Sequence, residues 1–340
     1  MSQLKKFWRL LPLLAVMTLM LTGCGDPTLS ALVPKGPVAT EQLYLMKLSL
    51  FIMIFVVIVV FAIYVYVLVR FRKRKGDESI PKQVEGSHVL EIIWTVIPIL
   101  LLLVLAVPTV SYTFKHSENY NKNKDAIHVK VTAHQFWWQF EYPDLGIATA
   151  QQLVIPEDKI IAFDVVSADV AHAFWVPSLG GKVDTNPGIR NTLYLQADEI
   201  ATFQGRCTEL CGASHALMNF TVASKSEADF NAWVAKMKAP NTVSASTQKG
   251  EELFKENCMS CHAVNASGPG VAPNLKGFAD RDTLAGILEK TPENIASWIH
   301  NPQELKPGNK MPAFGKEANG KLDDAQIKDI VSYLQTLTLK

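Results

Sequence analysis

The stretch Cys207-Thr-Glu-Leu-Cys211-Gly-Ala-Ser-His215-Ala-Leu-Met218 places two thiols, an imidazole and a thioether within twelve residues. A single folded loop can turn all four toward one point. Thiolate, imidazole and thioether are soft-to-borderline donors that suit copper, and a lone His2Cys set with a weak Met would indicate a mononuclear blue-copper site. The second cysteine changes that reading, because two thiolates separated by three residues can bridge two metal ions. One upstream histidine then completes the second ion. His172, in Asp169-Val-Ala-His172-Ala-Phe-Trp after a strand-like run, is the candidate. The competing reading is a Cys207–Cys211 disulfide or a zinc site, against which stands the poor affinity of Met for zinc.

A second constellation, Cys258-Met-Ser-Cys261-His262, has the C-x-x-C-H pattern of covalent haem attachment. The two sulfurs add to the vinyl groups as thioethers and the adjacent histidine reaches the iron from one side. The other axial ligand is expected from a downstream loop, where Lys310-Met311-Pro-Ala-Phe offers a methionine 49 residues after His262. Met259 is the rival, but its place inside the attachment turn is geometrically poor. His/Met ligation raises the potential, which suits delivery of electrons to a high-potential acceptor.

Around the first motif the chain resembles the binuclear copper (CuA) domain of subunit II of haem-copper cytochrome c oxidases. The resemblance covers about residues 40 to 225 and implies two coppers held by His172, Cys207, Cys211, His215 and Met218, with the Glu209 backbone carbonyl as a further ligand. It also implies that the Glu209 side chain reaches a magnesium shared with subunit I. Residues 246 to 340 resemble class I cytochrome c, through Gly250 and Phe254 before the haem motif, Ala272-Pro273-Asn-Leu275 after it, and a terminal helix Asp323 to Leu337 with Tyr333. In that family the carbonyl at the Pro273 position steadies the proximal imidazole.

These motifs must be carried by a chain whose composition is uneven. Of 340 residues 48% are hydrophobic, enough for two or three domains, and the apolar residues concentrate in the first third. A formal net charge of +1 supplies no basic stripe, so a nucleic-acid partner is set aside. Of the five cysteines four belong to the two motifs and the fifth is Cys24, which leaves none for a structural disulfide.

Met1 to Cys24 has the layout of a secretory signal: Lys5, Lys6 and Arg9, an apolar run Leu10 to Leu21, then Thr-Gly-Cys. Leu21-Thr-Gly-Cys24 resembles the bacterial lipoprotein cleavage box, which makes Cys24 the expected lipidated first residue; an uncleaved anchor with an incidental cysteine is the alternative. Leu48 to Val69 runs 22 residues without a charge, and Ile92 to Phe114 is a second uncharged run that contains Pro98 and Pro108. Each is long enough to cross a bilayer. The basic segment Arg70-Phe-Arg-Lys-Arg-Lys75 between them favours the cytoplasmic side, so both ends of the hairpin face outward. The second span begins His88-Val-Leu-Glu91-Ile-Ile-Trp94, where the oxidase resemblance puts an acid near a proton-uptake path. Glu91 is a candidate for that role, or a helix-start carboxylate favoured by the macrodipole.

From Ala126 the periodicity becomes two, in Ile127 to Thr132, Lys159 to Val166, Asn191 to Gln196 and Ala201 to Gly205, broken by Pro, Gly and Asp turns. This predicts a small β-sandwich with the copper loop at one end, as in a cupredoxin. The aromatic band Ala133-His-Gln-Phe-Trp-Trp-Gln-Phe-Glu-Tyr-Pro143 resembles one in the oxidase family that usually reads Gly-His-Gln-Trp-Tyr-Trp. Phe136 stands where the family's electron-accepting tryptophan is expected, which argues against direct docking of a soluble cytochrome there; core packing is the plainer role for most of these rings. Lys182-Val-Asp184-Thr-Asn-Pro-Gly-Ile-Arg190 looks like a family stretch at the subunit interface, and Asp184 there is either an interface group or a loop charge. The remaining histidines, His88, His116, His128, His134 and His300, are expected to be surface or packing residues.

The predicted organisation is a multi-domain membrane protein. It comprises a signal peptide (1–23), an N-terminal segment with the transmembrane hairpin (24–115), a cupredoxin-like CuA domain (116–225), a helix and Pro-containing linker (226–246) and an all-α cytochrome c domain (247–340). The expected function is an electron-input subunit. An external cytochrome c donates, electrons pass haem c and CuA, and subunit I reduces oxygen and pumps protons. Other expected partners are further oxidase subunits and membrane lipid, and the expected location is the bacterial cell membrane with both redox domains outside. The alternatives are the corresponding subunit of a CuA-type nitric-oxide reductase and a membrane-tethered copper-delivery lipoprotein.

Overall fold

The computed structural model describes residues 12–13, 15–18, 25–73, 76, 80, 83, 85–241, 245–268 and 271–339. Cys24 and the cleavage box before it lie outside the described residues, as do Arg74 and Lys75 of the basic turn.

Two long helices open the fold, α1 (Pro37–Arg70) and α2 (His88–His116). α1 starts with Pro at its first turn behind Gly36, a position where the missing N–H costs nothing. α2 continues through Pro98 and Pro108. Both are long and apolar enough to cross a membrane, and their apolar side chains face outward along most of their length. They are helical well past the uncharged runs because their polar ends continue the same ladder outside the hydrocarbon. At one end Glu41 bonds both Lys115 and His116, the latter at 2.8 Å, and so clips the two helices together. The start of α1 is pinned to the β-domain: Lys35 N–H donates to the Ser178 carbonyl at 2.7 Å, and Val38, Ala39 and Leu43 are buried.

Ten strands then form two five-stranded sheets: β1 (Ile127–His134), β2 (Trp137–Tyr142), β3 (Ile147–Ala150), β4 (Gln152–Pro156), β5 (Ile161–Ser167), β6 (His172–Val176), β7 (Gly180–Thr185), β8 (Asn191–Leu195), β9 (Thr202–Cys207) and β10 (Asn219–Lys225). One sheet has the order β3-β2-β1-β5-β8 and the other β4-β10-β9-β6-β7. The alternating strands bury one face each, and Trp138, Phe140, Phe163, Phe174 and Phe220 fill the space between, with Phe174 stacked on Phe220 at 4.9 Å. This is the predicted cupredoxin-like sandwich. Most of the aromatic band is its core, as expected of rings that each bury about 150–250 Å².

Helix α3 (Glu227–Lys238), capped by Ser226, packs Phe230 and Met237 against the sandwich and leads to the C-terminal domain. That domain contains α4 (Gln248–Asn257), the two-residue strands β11 (Thr283–Leu284) and β12 (Leu288–Glu289), α5 (Pro292–His300), the short α6 (Pro302–Leu305) and α7 (Asp324–Leu334). α4 crosses α7 at Gly250, where an added Cβ would lie 2.0 Å from the Asp329 carbonyl oxygen, so the crossing admits only glycine. Phe254 meets Tyr333 beside that crossing, and a capping box of Asp323 and Gln326 starts α7.

The C-terminal domain is seated on the sandwich. Ala148 N–H donates to the Ala266 carbonyl at 2.7 Å, and Gly286, at φ +78, lies so close to the Asn219 carbonyl that a Cβ would be 2.3 Å from it. The connecting segment is held too: Lys276 Nζ donates to the Ala239 carbonyl and the Asn241 side chain, each at 2.6 Å.

Candidate metal centres

The copper-type donors gather where two strands of one sheet end. β9 ends at Cys207, adjacent β6 begins at His172, and the loop to β10 carries Cys211, His215 and Met218. The ladder sets Phe174 opposite Cys207, so the register of β6 on β9 fixes the spacing of the first histidine from the first thiol. His172 Nδ1 lies 3.9 Å from Cys207 Sγ, the two sulfurs are 3.9 Å apart, His215 Nδ1 is 3.6 Å and Met218 Sδ 3.9 Å from Cys211 Sγ. The Glu209 carbonyl oxygen is 3.3 Å from Cys207 Sγ, while the Glu209 side chain is exposed.

A sulfur separation of 3.9 Å excludes a disulfide, whose bond is about 2.05 Å. It leaves room for ions bonded to both sulfurs at about 2.3 Å. The donor set and its burial therefore fit soft metal, with Cys207, Cys211, Met218 and His172 all inside the sandwich. Burial, and then the neighbouring Cys207 thiol, push the Cys211 thiol up, so without metal it holds its proton.

Two residues that the sequence did not single out complete the arrangement. Asp169 Oδ1 accepts a hydrogen bond from His172 Nε2 at 2.8 Å, which fixes the tautomer and leaves the Nδ1 lone pair facing the sulfurs. Burial alone would raise the Asp169 carboxyl, but bonds from His172 and the Gln135 and Val170 amides outweigh it and hold it below its ordinary range. Gln135 spans the site, with its N–H on Asp169 at 2.8 Å and its Nε2 on the Cys211 carbonyl at 2.6 Å. The signal for Asp169 was present as a carboxylate three residues before a candidate metal-binding histidine.

The haem-type motif sits at the end of α4. Cys258 caps that helix, and the next turn brings Cys261 N–H and His262 N–H to the Cys258 carbonyl at 3.1 and 2.9 Å. His262 Nδ1 donates to the Pro273 carbonyl at 2.8 Å, as the resemblance implied, so Nε2 is left bare to face an iron. Burial pushes the Cys258 thiol up to about 12 and lowers His262. Met259 is exposed, whereas Met311 is half-buried in a loop tied by its own side chains: Gln303 bonds Asn309 and Met311 carbonyls at 2.7 and 3.1 Å, and Asn309 Oδ1 accepts the Met311 N–H at 2.9 Å. The two thiols and the bare His262 Nε2 fit covalent attachment of a haem, and Met311 is the half-buried methionine of the two candidates.

The other candidates lie apart. Glu91 is in the first turn of α2, 3.5 Å from His88. Asp184 pairs with Lys182 at 3.7 Å on the surface. His128 is paired with Asp144, and His134 stacks on Trp137 at 4.1 Å, within electrostatic reach of Asp169 and His172.

Comparison with known proteins gives the same division of the chain. The family "Cytochrome C oxidase subunit II, transmembrane domain" matches residues 33–112, "Cytochrome C oxidase subunit II, periplasmic domain" matches 146–225, and "Cytochrome c" matches 247–338. The cytochrome c oxidase subunit 2 of Bacillus sp. (strain PS3) is 49% identical, and that of Bacillus subtilis (strain 168) 45% identical, each over 98% of both chains. The quinol oxidase subunit 2 of Bacillus spizizenii is 40% identical over 66% of this chain and 71% of its own. The chain belongs to the cytochrome c oxidase subunit II family, as a member with a cytochrome c domain at its C-terminal side, and is part of an oxidoreductase complex.

Proposed function

We propose that this chain is the electron-input subunit of a terminal oxidase, with a binuclear CuA centre and one covalent haem c on the outer face of the cell membrane. His172, Cys207, Cys211, His215, Met218 and the Glu209 carbonyl would hold the copper pair; Cys258 and Cys261 would attach the haem, with His262 and Met311 on its iron. Bound there, the two centres supply single-electron exchange. The protein's part is to orient His172 through Asp169, to keep water from the buried sulfurs, and to hold His262 through the Pro273 carbonyl. Electrons come from an external cytochrome c and leave to subunit I, where oxygen reduction and proton pumping occur. The exposed Glu209 side chain is free to share a magnesium with subunit I. Glu91 near the start of α2 is the proposed proton-path acid, Asp184 an interface group, and lipid at Cys24 a second anchor.

The observation that carries this reading is the buried cluster of donors around two sulfurs 3.9 Å apart. A metal-delivery site needs exchange with solvent, which this burial opposes. The test is purified protein analysed for copper and haem. Two coppers per chain, and a haem that acid-acetone does not extract, are expected; one copper, or extractable haem, sinks the assignment. Deleting residues 246–340 should leave the copper spectrum intact and greatly slow turnover with the natural donor, and undiminished turnover would make the haem a side branch.

A further inference from the structure

The loop that carries Met311 is also the part of the cytochrome domain that touches the copper site. Ser214, the residue before His215, donates its hydroxyl to the Pro307 carbonyl at 2.7 Å. Gly308 sits over the ring of Phe136 and the side chain of Ala213, with an ideal Cβ at 3.5 and 3.6 Å from them. Lys310, adjacent to Met311, places Nζ 3.4 Å from Asp169 Oδ2, and the other oxygen of that carboxylate holds His172 at 2.8 Å. The loop is made stiff by Gln303 and Asn309, whose side chains bond the backbone of Lys306, Gly308, Asn309 and Met311 at five points and the Pro302 carbonyl at a sixth. Phe136, 3% exposed, is covered by this arrangement.

We propose that segment 306–311 is a fixed electron bridge, docked on the copper loop and joined to it through Lys310–Asp169–His172 and Pro307–Ser214. The inference rests on the functional reading above. With both groups bound, the bridge would carry one electron from the haem that His262 and Met311 would hold to the copper pair that His172 and Cys207 would hold, with no proton or atom transferred. The same docking sets Gly308 against the ring of Phe136, so the haem side is the port to the copper site. Lys310 is 72% exposed, so its ion pair contributes little attraction; its role is to orient the loop, and a like charge in its place is what breaks the contact.

The test compares Lys310→Glu with Lys310→Arg in the full, loaded protein. A like charge set against Asp169 disfavours the docked loop, so Lys310→Glu is expected to slow haem-to-copper transfer after photoreduction of the haem by about tenfold. In the metal-free protein it should speed amide hydrogen exchange at Ser214 to Met218 by a similar factor. Lys310→Arg should behave as the parent in both measurements and in the midpoint potentials of both centres. Unchanged transfer and exchange in Lys310→Glu, or equal slowing in Lys310→Arg, overturns the bridge while leaving the functional reading intact. If the parent forms no copper or haem spectrum, the functional reading fails and the bridge with it.

Discussion

The two candidate centres are built in opposite ways. The copper donors are part of a β-sandwich core: Cys207, Cys211 and Met218 pack with the aromatic rings, and strand register brings His172 to them. The haem donors come from a helix end, a turn and a distant loop, and Cys261 is exposed. In the first case the fold makes the site and the metal fills it. In the second, short hydrogen-bonded turns hold each donor beside a separate helical core of Phe254, Ile295, Ile299, Ile330 and Tyr333. A small helical domain whose donors lie in turns rather than in its core draws part of its stability from the bound cofactor, as small domains with bound metal do.

The strongest test of that difference is to remove each group. Replacing both Cys258 and Cys261 by Ala should abolish covalent haem and the cooperative melting of residues 247–340, while copper still binds and the sandwich still melts as a unit. Calorimetry with haem staining measures this. A cytochrome domain that melts normally without haem would erase the contrast, as would a sandwich that unfolds when only copper is chelated.

Next in size is the axial position. Met311→Ala should lower the haem potential and change its ligation, because a thioether on the iron raises the potential. Met259→Leu should do neither, since Met259 points to solvent from the attachment turn. Potentiometry and the haem absorption spectrum decide, and equal effects of the two changes would mean the wrong methionine was assigned.

On the copper side the corresponding change is Asp169→Asn, which keeps shape but weakens the hold on His172 Nε2. Loss of such an orienting partner costs about 10–100-fold in metal affinity. Competition with a copper chelator reads this directly. Unchanged affinity would mean that the strand register alone aims the imidazole.

The candidate donors of both centres were legible in the sequence because each set is local: a loop of twelve residues and a pentapeptide, with one proposed partner each at a distance. The spans were legible from their uncharged runs, although the helices extend to Pro37–Arg70 and His88–His116, since helix continues beyond the hydrocarbon until Gly36 and Phe71 stop it. The strand β2 was not read individually, because a strand buried on both faces, like Trp138-Gln139-Phe140, lacks alternation. The seating of the cytochrome domain was not legible at all. Its contacts join residues as far apart as Asp169 and Lys310, and no local pattern encodes such a pairing.

The smallest expected effect concerns the seam between the two regions. Lys306, on the docked loop, is buried with Nζ donating to the Ala285 carbonyl at 2.9 Å, and burial pulls its ammonium down from 10.5 to about 7. An unfolded chain therefore binds this proton across a pH range in which the folded chain does not. Folded-state stability should rise with pH from about 7 toward 10.5 and level off outside that window, because the cost of a buried charge is fully present below it and absent above. Lys306→Met fills the same space without a charge, so it should flatten that slope and raise the melting temperature at pH 7 by a few degrees, an amount set by about 1 kcal/mol in a domain of this size. Melting the parent and the variant at pH 7 and pH 9 measures both effects. An unaltered slope in the variant would show that Lys306 carries its charge into a solvated seam, and that the cytochrome domain is less tightly seated on the copper domain than the contacts at Ser214 and Gly308 require.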